Sequence, residues 1–274
     1  MTNGKRNAVK LNLDLLTIVS MSIVVFVIQN VLHEFVGHGG ATILVGGKLV
    51  AWTTAYLDHD LVNVSDVGRR MIAAAGPVIN LLVGLLFWYL LRGRDKNPDS
   101  MTFFMWLMMA VNLMTGTGSF FFSGASGMGD LAEVVRGAGP MWIWRIGMII
   151  AGMITYAASI WISLNEMNPF IGTDDPGRNR RAMRLSLIPY LAGSIASTIG
   201  AFFNPMSMIF VITSAVSTFG GSSGLAWMTQ LYSTKLFTPN KHLPIMIRRN
   251  WIWVVVGVPL LAIHIFVIGP GINF

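Results

Sequence analysis

Two histidines and a glutamate lie close together in the segment VLHEFVGHGG, residues 31–40. A zinc hydrolase needs imidazole ligands on one helical face and a carboxylate beside them that takes a proton from water. His33 and His38 are the candidate ligands, and Glu34 is the candidate general base. They follow eighteen residues without a charge, and ionisable groups inside membrane helices are costly and usually functional. The segment therefore predicts a metal site in an apolar helix.

The spacing of the two histidines differs from that of the usual helical motif. In H-E-x-x-H the ligands are four residues apart, whereas His33 and His38 are five apart. Five residues correspond to about 140° around a regular α-helix, and four to about 40°. A one-residue π-bulge would bring both imidazoles to one face, and Gly37, Gly39 and Gly40 favour such a distortion. The alternative is that the motif binds no metal and meets the lipid headgroups at the end of a span.

The composition of the chain indicates an all-α polytopic membrane protein. Hydrophobic residues make up 54% of the 274 residues and charged ones 11%, with a mean hydropathy of +0.63. A helix needs about 20 apolar residues to cross a bilayer. Seven such segments are expected, approximately at residues 14–38, 71–91, 102–122, 141–164, 186–203, 206–232 and 251–269. Six spans are the alternative, because Asn204-Pro205 and Gly220-Gly221 interrupt the region 186–232, which would then hold one span and a re-entrant piece.

The whole chain, residues 1–274, is expected to form a single integral membrane domain. Residues 14–135 would be its core, and 141–274 would supply additional transmembrane helices. Short β-branched and aromatic stretches at 46–66 predict a hairpin or an edge loop after the first helix. Residues 165–181 are predicted to form a polar loop, with Asn168-Pro169 as a helix break.

The charge and the cysteine content exclude several functions. The net charge of +7 comes from basic residues in short loops, which membrane topology explains, so no nucleic-acid partner is expected. With the N-terminus inside, only five of the 19 Lys and Arg residues lie on the outer side, so the positive-inside rule predicts a cytoplasmic N-terminus. The absence of cysteine excludes disulfides and thiolate metal sites. The oligomeric state and the identity of the substrate stay open.

Several motifs resemble those of known zinc peptidases. HEFVGH resembles the H-E-x-x-G-H motif of the dipeptidyl peptidase III family. Its setting, a charge-free helix followed by ATILVGGKL and by AAAGPVINLLVGLL at 73–86, resembles the site-2 protease family of intramembrane zinc metalloproteases. The resemblance covers about residues 31–135. It implies a Zn²⁺ cofactor, Glu34 as general base, and membrane-protein helices within the lipid bilayer as substrates.

The third metal ligand follows from the same resemblance. The family takes it from an Asp-Gly motif, which implies that Asp130 in GMGDLAEV binds the metal, although glycine precedes this aspartate here. Alternatively, Asp130 caps a helix and Glu133 completes a capping box. The other candidate ligands are Glu133, Asp58, His59 and Asp60.

Two asparagines are candidates for substrate binding or support. Asn80 belongs to the G-P-x-x-N element and Asn112 to AVNLMTG. Either amide could position a substrate or stabilise an oxyanion, while helix packing is the simpler interpretation of Gly76, Pro77 and Asn80. With seven spans, the first motif, the start of the second span and the end of the third all lie toward one membrane face.

The leading hypothesis is an intramembrane zinc metalloprotease that cleaves peptide bonds in or near transmembrane segments. Ser119, Ser123 and Ser126 would line a path by which water reaches the metal. One alternative is a protease-like scaffold without catalysis, which the additional residue in the motif favours. The other is a membrane transporter with broken helices at 116–129 and 204–221.

Overall fold

The computed structural model describes residues 13–94, 99–172, 177–205, 207–234 and 244–274, which form a bundle of long helices with a small sheet. The first half contains α1 (Leu15–Val31), a π-helix (Leu32–Gly39), α2 (Gly40–Leu44), β1 (Lys48–Trp52), β2 (Leu57–Asp60), α3 (Asp66–Arg92), α4 (Ser100–Ser126) and α5 (Asp130–Val134). The second half contains α6 (Met141–Ile171), α7 (Arg178–Phe202), α8 (Met208–Gly221), α9 (Gly224–Ser233), α10 (Trp251–Ile263), a second π-helix (His264–Ile268) and β3 (Ile272–Asn273).

Seven stretches of the described chain are long and apolar enough to cross a membrane. They are Leu15–Leu44, Asp66–Arg92, Ser100–Ser126, Met141–Ile171, Arg178–Phe202, Met208–Ser233 and Trp251–Ile268. The protein is therefore an all-α polytopic membrane protein, as its composition predicts. The region 186–232 contributes to two of these stretches, so the described residues contain seven candidate spans rather than six.

Polar caps fix where several of these helices begin. Asp14 accepts a hydrogen bond from the backbone N–H of Thr17 at the start of α1, and Ser65 accepts one from Gly68 at the start of α3. Such caps satisfy amide groups that have no partner within the helix. Asp14 also contacts Arg249, with 2.8 Å between Oδ1 and Nε, and this guanidinium lowers the pKa of Asp14 to about 2. The pair ties the start of α1 to the segment before α10.

One hydrophobic core runs through both halves of the chain. α4 packs against α3 and α6, while α1 packs against α7 and α10. Buried members of the core come from α1, α4, α6, α7 and α9, for example Val25, Met109, Leu164, Leu185 and Met228. α4 is the most enclosed of the helices in this core and places its C-terminal end beside α3.

The prediction of a polar loop at 165–181 is wrong for the first part of this segment. α6 continues to Ile171 and includes Pro169, so Asn168-Pro169 does not break the helix. Met167 and Phe170 are buried in the core, where the ring of Phe170 lies 6.1 Å from that of Phe103. Burying these apolar side chains outweighs the helical hydrogen bond lost at proline. Of the rest of the segment, 173–176 lie outside the described residues, and α7 begins at Arg178.

The predicted hairpin after the first helix is present. β1 and β2 pair antiparallel, and β3 from the C-terminus pairs with the other edge of β1, so the sheet order is β2-β1-β3. Trp52 and Leu57 are buried against Val31 and Phe35. The sheet therefore packs on the π-helix that carries the histidine motif.

Candidate metal centre

The histidine motif lies in a π-helix, Leu32–Gly39. Hydrogen bonds in a π-helix join residues five apart, which places such residues one above the other. The Nε2 atoms of His33 and His38 are 3.3 Å apart, and the two rings meet edge to face. The predicted π-bulge is confirmed, and the five-residue spacing brings both imidazoles to one face.

Two glycines let the π-helix touch α3. A Cβ added to Gly37 would lie 2.8 Å from the Cα of Gly76. A Cβ added to Gly76 would lie 2.4 Å from Nε2 of His38 and 2.7 Å from Nε2 of His33. Real carbon atoms do not approach so closely, so a side chain at Gly76 would occupy the space that faces both imidazole nitrogens. Gly76 was interpreted from the sequence only as a packing residue, and its contact with the histidines was missed.

Asp130 completes a cluster of three potential ligands. Its Oδ2 lies 3.1 Å from Nε2 of His33, and its Oδ1 lies 3.6 Å from Nε2 of His38. The three ligand atoms all lie within 4.8 Å of one another. Ligands about 2.1 Å from a tetrahedral zinc ion are about 3.4 Å apart. The donor set and its separations thus fit zinc.

The turn between α4 and α5 directs Asp130 back toward the histidines. Gly127 and Gly129 have φ angles of 71° and 85°, in the left-handed region that glycine adopts without strain. Gly129 is the N-cap of α5 and makes no side-chain cap, and Asp130 is the first helical residue. The capping interpretation of Asp130 is therefore wrong, because its carboxylate faces the two imidazoles.

Neighbouring charges hold this turn and its carboxylate in place. Arg70 of α3 donates hydrogen bonds to the backbone oxygens of Val134 and Arg136, which ties the end of α5 to α3. Glu133 pairs with Arg136 and does not complete a capping box. Burial raises the pKa of Asp130, but the two histidines lower it more, so its pKa lies below the usual range. Asp130 is thus an ionised carboxylate beside the imidazoles.

The other ring nitrogen of each histidine has a partner on α3. Nδ1 of His38 lies 2.7 Å from the backbone oxygen of Ile72, so this nitrogen carries a proton and Nε2 is the nitrogen that faces the cluster. Nδ1 of His33 lies 2.9 Å from the amide nitrogen of Asn80, while the amide oxygen of Asn80 is buried without a partner. A half rotation of this amide places its oxygen beside Nδ1 of His33, where it accepts from Nδ1–H. In this orientation Asn80 accepts a hydrogen bond from Nδ1–H of His33, as the backbone oxygen of Ile72 does from His38.

Glu34 borders a polar cavity of about 150 Å³ beside the cluster. His33, Asp130, Ser119 and Ser123 also line it. A volume of this size holds several water molecules, and the buried hydroxyl of Ser123 has no protein partner. Of the three serines predicted to line a water path, Ser119 and Ser123 border the polar cavity, whereas Ser126 lies on an adjoining cavity.

The sequence interpretation missed part of the cavity wall. Gln29 and Asn30 line the cavity from α1, and a hydroxyl-rich face of α8 lines it opposite: Thr213, Ser214, Ser217 and Thr218. Gln29 and Asn30 stand four and three residues before His33, so helical periodicity could have found them. The α8 face had no comparable signal, because only the packing of distant helices brings it to the site.

Other predicted site residues lie elsewhere. Asn112 is buried in α4, where its amide nitrogen donates to the backbone oxygen of Met108 at 2.8 Å, and it does not border the polar cavity. Among the alternative third ligands, Asp58, His59 and Asp60 lie on β2, and none of them joins the cluster. The broken helix expected at 116–129 for a transporter is continuous to Ser126.

Comparisons of the chain with protein-family models, with curated proteins and with solved structures give no match. The function is therefore inferred from the geometry of the cluster and of its cavity.

Proposed function

We propose that this protein is an intramembrane zinc metalloprotease that hydrolyses peptide bonds in or near the transmembrane segments of other membrane proteins. The observation that supports this most is the meeting of His33, His38 and Asp130 within 4.8 Å, next to a polar cavity that Glu34 borders. Two imidazoles, one carboxylate and an open side are typical of a catalytic zinc site. Zinc, when bound there, supplies a Lewis acid that polarises water and the scissile carbonyl.

Residues of the chain have the remaining roles in the reaction. Glu34 takes a proton from the attacking water and delivers it to the leaving amine. Asn80 and the backbone oxygen of Ile72 fix the direction of the two imidazoles, as groups behind metal ligands commonly do. The polar cavity stores the water that the reaction consumes. The substrate helix must unwind locally, because a hydrogen-bonded helical backbone does not present its carbonyl for attack.

The substitution Glu34→Gln tests this proposal. The variant keeps its shape and its zinc but has no base, so cleavage of a transmembrane reporter by the reconstituted protein falls about 10²- to 10⁴-fold. Glu133→Gln is the matched control, because Glu133 is a glutamate near the site that pairs with Arg136 instead. Undiminished cleavage by Glu34→Gln would remove Glu34 from the mechanism, and zinc-loaded wild type without cleavage would favour a non-catalytic scaffold.

A further inference from the structure

A second, larger cavity lies between α4, α6 and α8. Its volume is about 520 Å³, within the range of about 300–1,000 Å³ typical of ligand pockets. Most of its wall is apolar or small, including Phe121, Met153 and Ile160. The hydroxyl of Tyr156 reaches the wall but already bonds the backbone oxygen of Gly221 at 2.9 Å. The cavity therefore suits an apolar occupant.

This apolar cavity adjoins the polar cavity of the candidate metal centre. Thr115, Ser119, Phe122 and Ser217 border both of them. An occupant of the larger cavity thus lies one side chain away from the space that Glu34 and Asp130 line. The two cavities form one apolar and one polar compartment of a continuous site.

The apolar cavity is also accessible from the membrane. Phe121, Met153 and Val216 on its rim are 47%, 52% and 51% exposed, and all three lie on membrane-spanning stretches. An apolar segment can therefore enter from the surrounding lipid without crossing water. An entrance of this kind suits a molecule that resides in the bilayer.

We propose that this cavity binds the large apolar side chains that flank the scissile bond of a transmembrane substrate, and that it selects leucine or phenylalanine over alanine there. The inference rests on the proposed protease function. A peptide supplies apolar side chains to one compartment and backbone N–H and C=O groups to the other. A lipid acyl chain would fill the apolar compartment alone and leave the polar one to water, whereas a peptide places suitable groups in both compartments.

Ala157 and Ala158 provide a matched pair of positions for the test. Both are exposed alanines in the middle of α6, so the same substitution has the same intrinsic effect on the helix. Ala157 lines the apolar cavity, whereas Ala158 lines neither cavity. Ala157→Trp fills the cavity, and Ala158→Trp adds the same side chain outside it.

The experiment measures binding of a synthetic transmembrane peptide to the full-length protein in lipid nanodiscs. The peptide has about 20 apolar residues, a central Gly-Ser pair that loosens its helix, and either phenylalanine or alanine after this pair. Wild type is expected to bind the phenylalanine peptide about tenfold more tightly than the alanine peptide. Ala157→Trp loses this preference, and Ala158→Trp retains it.

Three results would overturn the inference. The first is equal binding of both peptides by wild type, and the second is an unchanged preference in Ala157→Trp. The third is crosslinking of a photoreactive group at position 157 to phospholipid in the presence of saturating peptide, which would assign the cavity to lipid. Zinc content and cleavage are read in the same samples. Cleavage without the preference would refute this inference and leave the protease function standing. The preference without zinc would refute the protease function and leave only a cavity that binds apolar side chains of a peptide.

Discussion

The direction of the imidazole nitrogens is set by single atoms of α3. The backbone oxygen of Ile72 receives Nδ1–H of His38 at 2.7 Å, and the amide of Asn80 lies 2.9 Å from Nδ1 of His33. Both contacts leave Nε2 as the nitrogen that faces Asp130. A proton acceptor behind a histidine ligand fixes its tautomer and raises its basicity. We therefore infer that Asn80 positions His33 in addition to packing between helices.

Substitutions of Asn80 test this role. Asn80→Leu removes the acceptor at similar volume and is expected to weaken zinc binding about 10- to 100-fold. Asn80→Asp keeps an oxygen toward His33 and is expected to retain affinity near that of wild type. Competition with a zinc chelator in detergent measures both affinities. Wild-type affinity in Asn80→Leu would show that Asn80 only packs.

Residue types alone indicated some of these roles and not others. His33, Glu34 and His38 were recognisable because charged groups are rare in apolar helices. Asn80 and Asn112 are both asparagines within apolar spans, so residue type alone did not show which of them contacts a histidine. Only the approach of α3 to the π-helix distinguishes them, and that approach depends on Gly37 and Gly76.

The π-helix is the element that converts an unusual spacing into a shared face. Three glycines within residues 37–40 lowered the cost of the distortion and made it predictable. The backbone contact between Gly37 and Gly76 then holds this π-helix against α3. Small residues that permit such close approach are typical of helix contacts in membranes.

Gly37→Ala tests whether this close approach supports the site. The new Cβ would meet the Cα of Gly76 at 2.8 Å, so the π-helix must move away from α3 and the imidazoles lose their partners there. We expect zinc content to fall well below that of wild type, together with a lower thermal unfolding temperature. Gly40→Ala is the control, because a Cβ at Gly40 meets no atom within 4 Å. Equal zinc in the two variants would contradict this account.

Other elements were beyond prediction for a physical reason. Local signals at Asn168-Pro169 favoured a loop, but the burial of Met167 and Phe170 extends α6. β3 is two residues long and exists because it pairs with β1. The cavity face of α8 likewise depends on tertiary packing. These features depend on contacts between residues far apart in the sequence, which local sequence patterns do not reveal.

The directions in which the helices cross the membrane bring the residues of the candidate site together. α1 and α4 run toward the membrane face from which α3 starts, so the histidines, Asn80 and Asp130 meet toward one face. The positive-inside rule supports our proposal that the N-terminus is cytoplasmic. This orientation would place the candidate metal centre toward the outer half of the membrane.

Cysteine labelling tests the orientation in a chain that has no cysteine of its own. Val62 lies between β2 and α3 and is 82% exposed, and Ser233 lies at the end of α9 on the opposite face. We expect a membrane-impermeant maleimide to label Val62→Cys on intact cells, and Ser233→Cys only after permeabilisation. The reverse pattern would place the N-terminus outside and the metal centre toward the cytoplasm.

We propose that His33, His38 and Asp130 hold one zinc ion, and the zinc stoichiometry of the purified protein tests this proposal. Wild type, His38→Ala and Asp130→Ala are each purified and washed with chelator under matched conditions. We expect about one zinc per chain in wild type and loss of zinc in both variants, since three protein ligands are typical of catalytic zinc sites. Well-folded wild type without zinc would contradict the account, and zinc retained in Asp130→Ala would exclude Asp130 as the third ligand.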